Sequence, residues 1–290
     1  MKFIKPSVEI LEQGPGIQGI YDAIAQAAAT CYKSEAKTGE GAKAFVDKLI
    51  ANKHYAMLEF GTVYLAMEPD TIFPIEANPW AKYRYNPYSS GAYLCEVNGE
   101  RRVAVTTNYR VLVENGWLDD LQYLCEPTEY HKKRHTARFI ISIGTGREFT
   151  RHRVFSFAQE STRYCNYSKD KFDKQVSFII PSWSNSIGEG EYRGPLRYDE
   201  TDDKEYMFSY GCHMAEGFYK DMILAGASPQ EAREVLPLAT KSELCMCGFE
   251  EDWAHFFELR KDGLTGKPHP DAYQAASMLW EKFKNKGITL

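Results

Sequence analysis

The sequence predicts one α+β domain, and three observations carry that expectation. Segments with helical spacing of apolar residues alternate with short strand-like runs. No tandem repeat, low-complexity tract or clear linker divides the 290 residues. The segments dense in chemistry-bearing side chains lie far apart in the chain, so one fold has to collect them. Hydrophobic residues make up 43% of the chain, enough for a sizeable core, although length alone is compatible with one large domain or two small ones.

Taken in order, residues 17–32 set Ile20, Ile24, Ala27 and Ala28 at helical spacing and predict a helix ending near Cys31 and Tyr32. Phe45, Val46, Leu49 and Ile50 predict a second helix over 42–52, and Thr62 to Met67 reads as a strand. Tyr93–Val97 and Arg101–Thr106 flank Asn98-Gly99, a pair suited to the type I′ turn of a hairpin. Residues 107–124 read as helix interrupted at Asn115-Gly116. Ala137–Ile143 reads as a buried strand. Gly144-Thr145-Gly146 then turns into a helix carrying Arg147 to Phe155 with Thr145 as cap, which leaves Ser156–Arg163 as the loop after it.

Val176–Ile180 is a short strand stopped by Pro181, and 182–202 is a loop or flap rich in Gly, Ser and charge. Residues 203–225 form a long helix with Tyr206, Tyr210, Met214, Phe218 and Met222 on one face, for core or subunit packing. Ser228-Pro229-Gln230-Glu231 starts another helix: Ser caps, Pro takes the first position and Glu closes the capping box. That helix presents Arg233 and ends at Leu236-Pro237-Leu238. Helices over 250–260, bearing His255, and about 270–286 complete the chain.

Composition excludes several classes of function. The net charge of -5 and 14% aromatic content argue against a nucleic-acid coat, which needs a broad basic surface. There is no run of eighteen apolar residues and no apolar signal region at the start, so a soluble, cytoplasmic protein without a membrane partner is expected. Seven cysteines without disulfide-framework spacing fit a reducing compartment. Cys245-Met246-Cys247 is too tight for a zinc knuckle, and His131 and His135 sit in a basic run that reads as an exposed loop or helix end. No metal is expected. No Gly-x-Gly-x-x-Gly follows a strand, so the nucleotide fold is not of the Rossmann type.

Against this acidic background, Arg151-His152-Arg153 is followed within ten residues by Ser161, Thr162 and Arg163. Arg147 stands one helical turn before Arg151, so the two can share a face. Guanidinium forks and hydroxyls suit phosphate and carboxylate oxygens. The plainer reading is a solvated segment salt-bridged to Glu148 and Glu160.

Arg-His-Arg, seven residues, then Ser161 resembles the signature of the flavin-dependent thymidylate synthases, and the continuation Ser-x-x-Gln-x-Ser-x-Arg-Tyr extends the likeness. Three further segments resemble the same family. His54 and Glu59 are kept from a Gly-His-Glu-x-x-x-Glu-His turn, with departures at Lys53, Tyr55 and Phe60. Glu231-x-Arg233-x-x-Leu-Pro matches a nucleotide-holding pattern, and Arg260-x-Asp262 follows at the family's distance.

The resemblance implies a ThyX-like α+β fold: a central, mostly antiparallel sheet flanked by helices, in a single domain over 1–290 with an elaboration at about 69–135. It also implies a homotetramer with sites between subunits. The activity implied is reductive methylation of dUMP to dTMP with 5,10-methylenetetrahydrofolate as carbon donor, FAD as hydride carrier and a nicotinamide reductant, NADPH or NADH. Arg260, Ser161 and His54 are the implied catalytic set. Ser161 serves better as a phosphate or substrate contact than as an attacking group, because no His-Asp relay is evident to activate it. Glu148, Arg151, Gln159, Glu160, Ser161, Thr162, Arg163, Arg233 and Arg260 are implied for dUMP. His54, Ala56, Arg151, His152, Arg153, Gln159 and His255 are implied for FAD.

Departures from the pattern keep alternatives open. Phe249 and Glu251 stand where the family often has Asn and Arg for the FAD phosphates, Glu148 where a Gln commonly touches dUMP, and Ala56 where a hydroxyl often helps the flavin. An FAD-dependent methylase of another uracil nucleotide is one alternative. A non-catalytic nucleotide- or anion-binding module is the other.

Overall fold

A computed structural model describes residues 1–69, 75–90, 93–97, 99–197 and 202–290. Two strands open the chain, β1 (Lys2–Ile4) and β2 (Ser7–Leu11), which the apolar pattern does not announce. Helices α1 (Gly16–Tyr32) and α2 (Glu40–Ala51) stand where their spacing predicts them. A 3₁₀ turn (Tyr55–Phe60) leads into β3 (Thr62–Met67), and a short α3 (Ala81–Arg84) precedes the hairpin of β4 (Tyr93–Val97) and β5 (Glu100–Asn108). Asn98 of the predicted turn lies outside the described residues. Gly99 has φ 79°, the left-handed region that this turn requires. Helix α4 (Tyr109–Asn115) ends at the predicted interruption.

Next come β6 (Arg134–Ser142), α5 (Ile143–Phe149), β7 (Ser156–Gln159), β8 (Ser177–Ile179) and β9 (Gly190–Glu191). The remainder is α6 (Asp203–Leu224), α7 (Pro229–Ala232), β10 (Lys241–Phe249), α8 (Glu250–Phe257) and α9 (Pro270–Asn285). The capping box predicted at Ser228 forms, with the Ser228 N–H donating to Glu231 at 2.8 Å.

The central sheet has the order β2-β6-β10-β7, antiparallel throughout. A second antiparallel sheet, β3-β5-β4, takes its last two strands in chain order from the 69–135 segment, and a third, β8-β1-β9, includes the parallel pair β1–β8. The expected α+β class, mostly antiparallel and flanked by helices, is what the chain adopts. Among the described residues no helix is long and apolar enough to cross a membrane.

The middle of the central sheet is β10, for which the sequence gives no strand signal. Alternation explains how it packs. Leu244 and Met246 face Trp253, Phe256, Leu279 and Phe283 of α8 and α9, while Cys245 and Cys247 face Ala27 of α1 and Ala158 of β7. Small side chains on the second face let α1 lie close to the sheet. The Cys-x-Cys pattern is therefore strand packing. His131 is also buried rather than exposed: its Nδ1 accepts from the Thr128 N–H at 3.1 Å, and its Nε2 lies 3.1 Å from the Leu65 carbonyl.

Two further expectations are corrected near the charged segment. Helix α5 starts at Ile143 and is capped by Ser142, whose Oγ accepts from the Thr145 N–H at 3.1 Å, so Thr145 is not the cap. The helix also ends at Phe149, before Arg151. Arg151–Val154 form a turn, and Ser156–Gln159 is a sheet strand rather than a loop. The cause is Phe155, which is buried edge-on against Trp253 with centroids 4.5 Å apart. It lies over Gly248, where a Cβ would come within 2.6 Å of the ring. A continued helix could not place Phe155 there and also let β7 pair with β10.

On α6 the covered face is Glu205, Ser209, Cys212, Ala215, Glu216 and Tyr219. Tyr210, Met214 and Phe218 of the predicted stripe are exposed, so they are not part of this chain's core.

Candidate functional site

The turn after α5 meets the end of α8. There the helix passes into a single π turn, Glu258–Asp262, which carries Arg260. Such turns recur at functional sites because the extra residue re-aims a side chain. Arg260 is half-buried and fully directed. Its Nε donates to His152 Nε2 at 2.9 Å, one Nη donates to the Glu148 carboxylate at 3.1 Å, and the other donates to the Glu148 carbonyl at 2.6 Å. Glu148 also lies 4.0 Å from Arg151, so one carboxylate bridges two arginines that are far apart in sequence.

His152 is 7% exposed. Burial, reinforced by the charges of Arg260 and His255, pushes its pKa down to about 4. Because Arg260 Nε can only donate, the neutral ring accepts at Nε2 and carries its proton on Nδ1. The His255 ring is 6.5 Å from that of His152, and its Nδ1 lies 3.1 Å from Glu258. Arg153 is exposed, as is Arg151 with 73% of its side chain free. This edge of the molecule thus presents fixed cations around a neutral, oriented imidazole.

A second group lies against the same short helix. Arg147, the residue before Glu148, lines a cleft of about 380 Å³ with Thr162, Arg233 and the Leu236–Leu238 turn. Arg233 donates to Thr162 Oγ1 at 3.3 Å and its Nε lies 3.4 Å from Glu234. Among the described residues, three guanidinium N–H groups of Arg233 therefore have no acceptor, in a cleft of a size that takes a small ligand. Arg147 was not among the predicted contacts, because its spacing pairs it with Arg151. The early end of α5 separates the two.

The segment between β7 and Thr162 contributes unevenly. Gln159 turns its amide to Ser242 Oγ at 3.1 Å, and Arg163 stacks over the Tyr164 ring at 5.4 Å. The Glu160 carboxylate points inward to Lys241 Nζ at 2.6 Å. Ser161 gives its N–H to the Cys31 carbonyl at 3.0 Å. His54 and Ala56 line a third cleft, about 470 Å³, together with Cys31, Met57 and Arg110. The structure therefore groups Glu148, Arg151, His152, Arg260 and His255, groups Thr162 with Arg233, and sets His54 and Ala56 apart. Size alone would point elsewhere. Cavities of about 660 Å³ beside Tyr273 and about 600 Å³ between β2 and β3 contain none of the predicted residues.

Phe249 and Glu251 have partners of their own. The Phe249 ring lies under Arg134 at 5.6 Å, and Glu251 pairs with Lys132.

A family model described as thymidylate synthase complementing protein matches residues 133–286. The flavin-dependent thymidylate synthase of a Synechocystis strain is 26% identical over 137 residues, covering 47% of this chain and 60% of that protein. A probable flavin-dependent thymidylate synthase of Paramecium bursaria Chlorella virus 1 is 27% identical over 148 residues, covering 51% and 66%. This chain thus spans less than two thirds of the length of these relatives. A crystal structure of a UMP/dUMP methylase from Streptomyces cacaoi bound with 5-Br dUMP is 16% identical, with a TM-score of 0.45 over 98% of this chain and 93% of that one.

Proposed function

Since the chain belongs to the thymidylate synthase complementing protein family, we propose that it is a flavin-dependent thymidylate synthase that converts dUMP to dTMP. The observation that carries this reading is Arg260, aimed by Glu148 and His152 into the cationic edge formed by Arg151 and Arg153. Methylating C5 of a uracil requires that carbon to become nucleophilic. A cation near N3 and its carbonyls achieves this by stabilising the enolate-like ring, without a protein thiol. Arg260 is the group for that task, and the two N–H donors that find no acceptor among the described residues are available to the ring. Thr162, Arg233 and Arg147 would hold the phosphate, with Ser161 and Arg163 alongside. Charge-assisted bonds of this kind contribute ~1.5–3 kcal/mol each.

FAD, when bound, would supply the hydride that completes the methyl group. The side chains fit such a group in part. Arg151, Arg153 and His255 offer exposed cations and a ring on one edge, and His54 with Ala56 offers a cleft on another. Their separation within one chain favours a ligand held between copies. The exposed Tyr210, Met214 and Phe218 of α6 offer a surface for the homotetramer this requires. 5,10-Methylenetetrahydrofolate as carbon donor, NADPH as reductant, a cytoplasmic location and one domain elaborated over 69–135 complete the reading.

The test is the absorbance spectrum of the purified protein together with tritium release from [5-³H]dUMP. Flavin bands and release dependent on dUMP, folate and NADPH are expected. Nucleotide binding without flavin or release would instead favour the non-catalytic module.

A further inference from the structure

Glu160 lies inside the signature segment, yet its side chain is 1% exposed and turned away from every cleft described above. Lys241, at the start of β10, places Nζ 2.6 Å from Glu160 Oε2 and 2.7 Å from Glu243 Oε1. The backbone doubles this link. The Glu160 N–H donates to the Glu243 carbonyl at 2.8 Å, and the Glu243 N–H donates to Glu160 Oε2 at 3.2 Å. From the C-cap of α1, Lys33 pairs with Glu243 on the solvent side. Two ammoniums thus face two carboxylates at the junction of β7, β10 and α1.

A buried ion pair of this kind adds little stability over an apolar replacement, because desolvation offsets attraction; its value is geometric. The neighbours of Glu160 show what geometry is being held. Ser161 is fixed through its N–H to Cys31, which lines the cleft of His54 and Ala56. Thr162 reaches Arg233 in the cleft of Arg147. Three successive residues are therefore tied to β10, to α1 and to the turn after α7; the segment lines one cleft through Thr162 and is bonded to the lining of the other through Cys31.

We propose that Lys241 is the positioning residue for this segment, its ammonium between Glu160 and Glu243 setting where Ser161 and Thr162 meet a nucleotide phosphate. The identity of that ligand rests on the reading above; the anchoring does not. Burial opposes the charge on Lys241, but the two carboxylates outweigh it and raise its pKa, so the ammonium persists. Without it, two buried carboxylates would face one another with Lys33 beside only one of them. The segment would then shift or take up a proton.

The experiment compares wild type with Lys241→Met, Glu160→Gln and the double variant. Two properties are read: amide hydrogen exchange at 160–161 and the steady-state constants for dUMP. In Lys241→Met, exchange there should quicken about tenfold while the rest of the central sheet is unchanged. KM for dUMP should rise about tenfold with kcat changing much less, because binding geometry is lost before chemistry. Adding Glu160→Gln removes the unpaired carboxylate and should restore most of both. A lowered Tm with wild-type exchange and KM would reduce Lys241 to a structural lysine and overturn the proposal. If Lys241→Met does not fold, Lys241→Gln, which keeps a donor without the charge, takes its place; failure of both to fold also overturns it. A wild type that neither binds nor methylates dUMP defeats the synthase reading instead, and the exchange comparison still decides the anchor.

Discussion

Replacing Arg260 by Ala separates the chemical role of this side chain from its structural one. Three hydrogen bonds disappear, two to Glu148 and one to His152. Glu148 keeps 30% side-chain exposure and can be hydrated in place of the guanidinium, so its share of the cost is small. His152 Nε2 is buried and loses its donor, a penalty of about 1–3 kcal/mol. A total near 2 kcal/mol lowers Tm by about 4 °C in a chain of this size, well within a typical folding free energy of about 5–15 kcal/mol. The variant should therefore be folded at assay temperature. Loss of one preorganised cation at a developing anion lowers kcat by about 10²–10³. Tritium release from [5-³H]dUMP measures the chemistry, and circular dichroism with thermal melting confirms the fold. Turnover within tenfold of wild type in a folded variant would refute the assignment of ring activation to Arg260.

Arg233→Ala should raise KM for dUMP by about 10–100-fold with kcat much less affected, since a charge-assisted phosphate contact is lost from a half-exposed side chain; an unchanged KM would remove it from the phosphate site. His152 supplies a pH signature. Its folded pKa of about 4 lies below the unfolded 6.5, so only the unfolded chain takes up the proton between these values. Stability is full above pH 6.5 and falls as pH drops towards 4, by up to about 3 kcal/mol. His152→Gln should flatten the melting curve across that window, and an equal slope in both proteins would contradict it. Met214→Asp combined with Phe218→Asp should shift sedimentation to smaller species than the wild type; unaltered sedimentation would show that this face is not buried between copies.

Much of the periphery was legible because one face of each element is wet. Ile20, Ile24 and Ala27 mark α1, Val46 and Leu49 mark α2, and the alternation around Gly99 marks the hairpin. The centre was not. Strand β10 is covered on both faces, which erases the polar alternation that identifies a strand, and its Lys-Ser-Glu opening looks like loop because each charge finds its partner only in the folded state. On α6 the face covered within the chain was not legible for a related reason: Glu205 and Glu216 are covered by donors from Ser186 and the Met1 amino group, so charge did not mark the solvent side. The candidate site was legible as residue types and hidden as geometry. Arg260 and His152 are 108 positions apart, and no local rule brings them within 2.9 Å; only the likeness of four short motifs to one family grouped them.

The 17 residues of α1 extend for about 25 Å. At its start, Ile20 and Ile24 are embedded with Val63 and Leu65 in the core beneath β3 and β5. At its finish, the Cys31 carbonyl accepts from the Ser161 N–H, and the Lys33 ammonium pairs with Glu243 of β10. The helix thus works as a push-rod. A displacement of the β3-β5-β4 unit by a substitution there would be carried along α1 to Ser161 and Glu243. The position of Ser161 is in this way tied to the packing of a sheet at the far end of the helix.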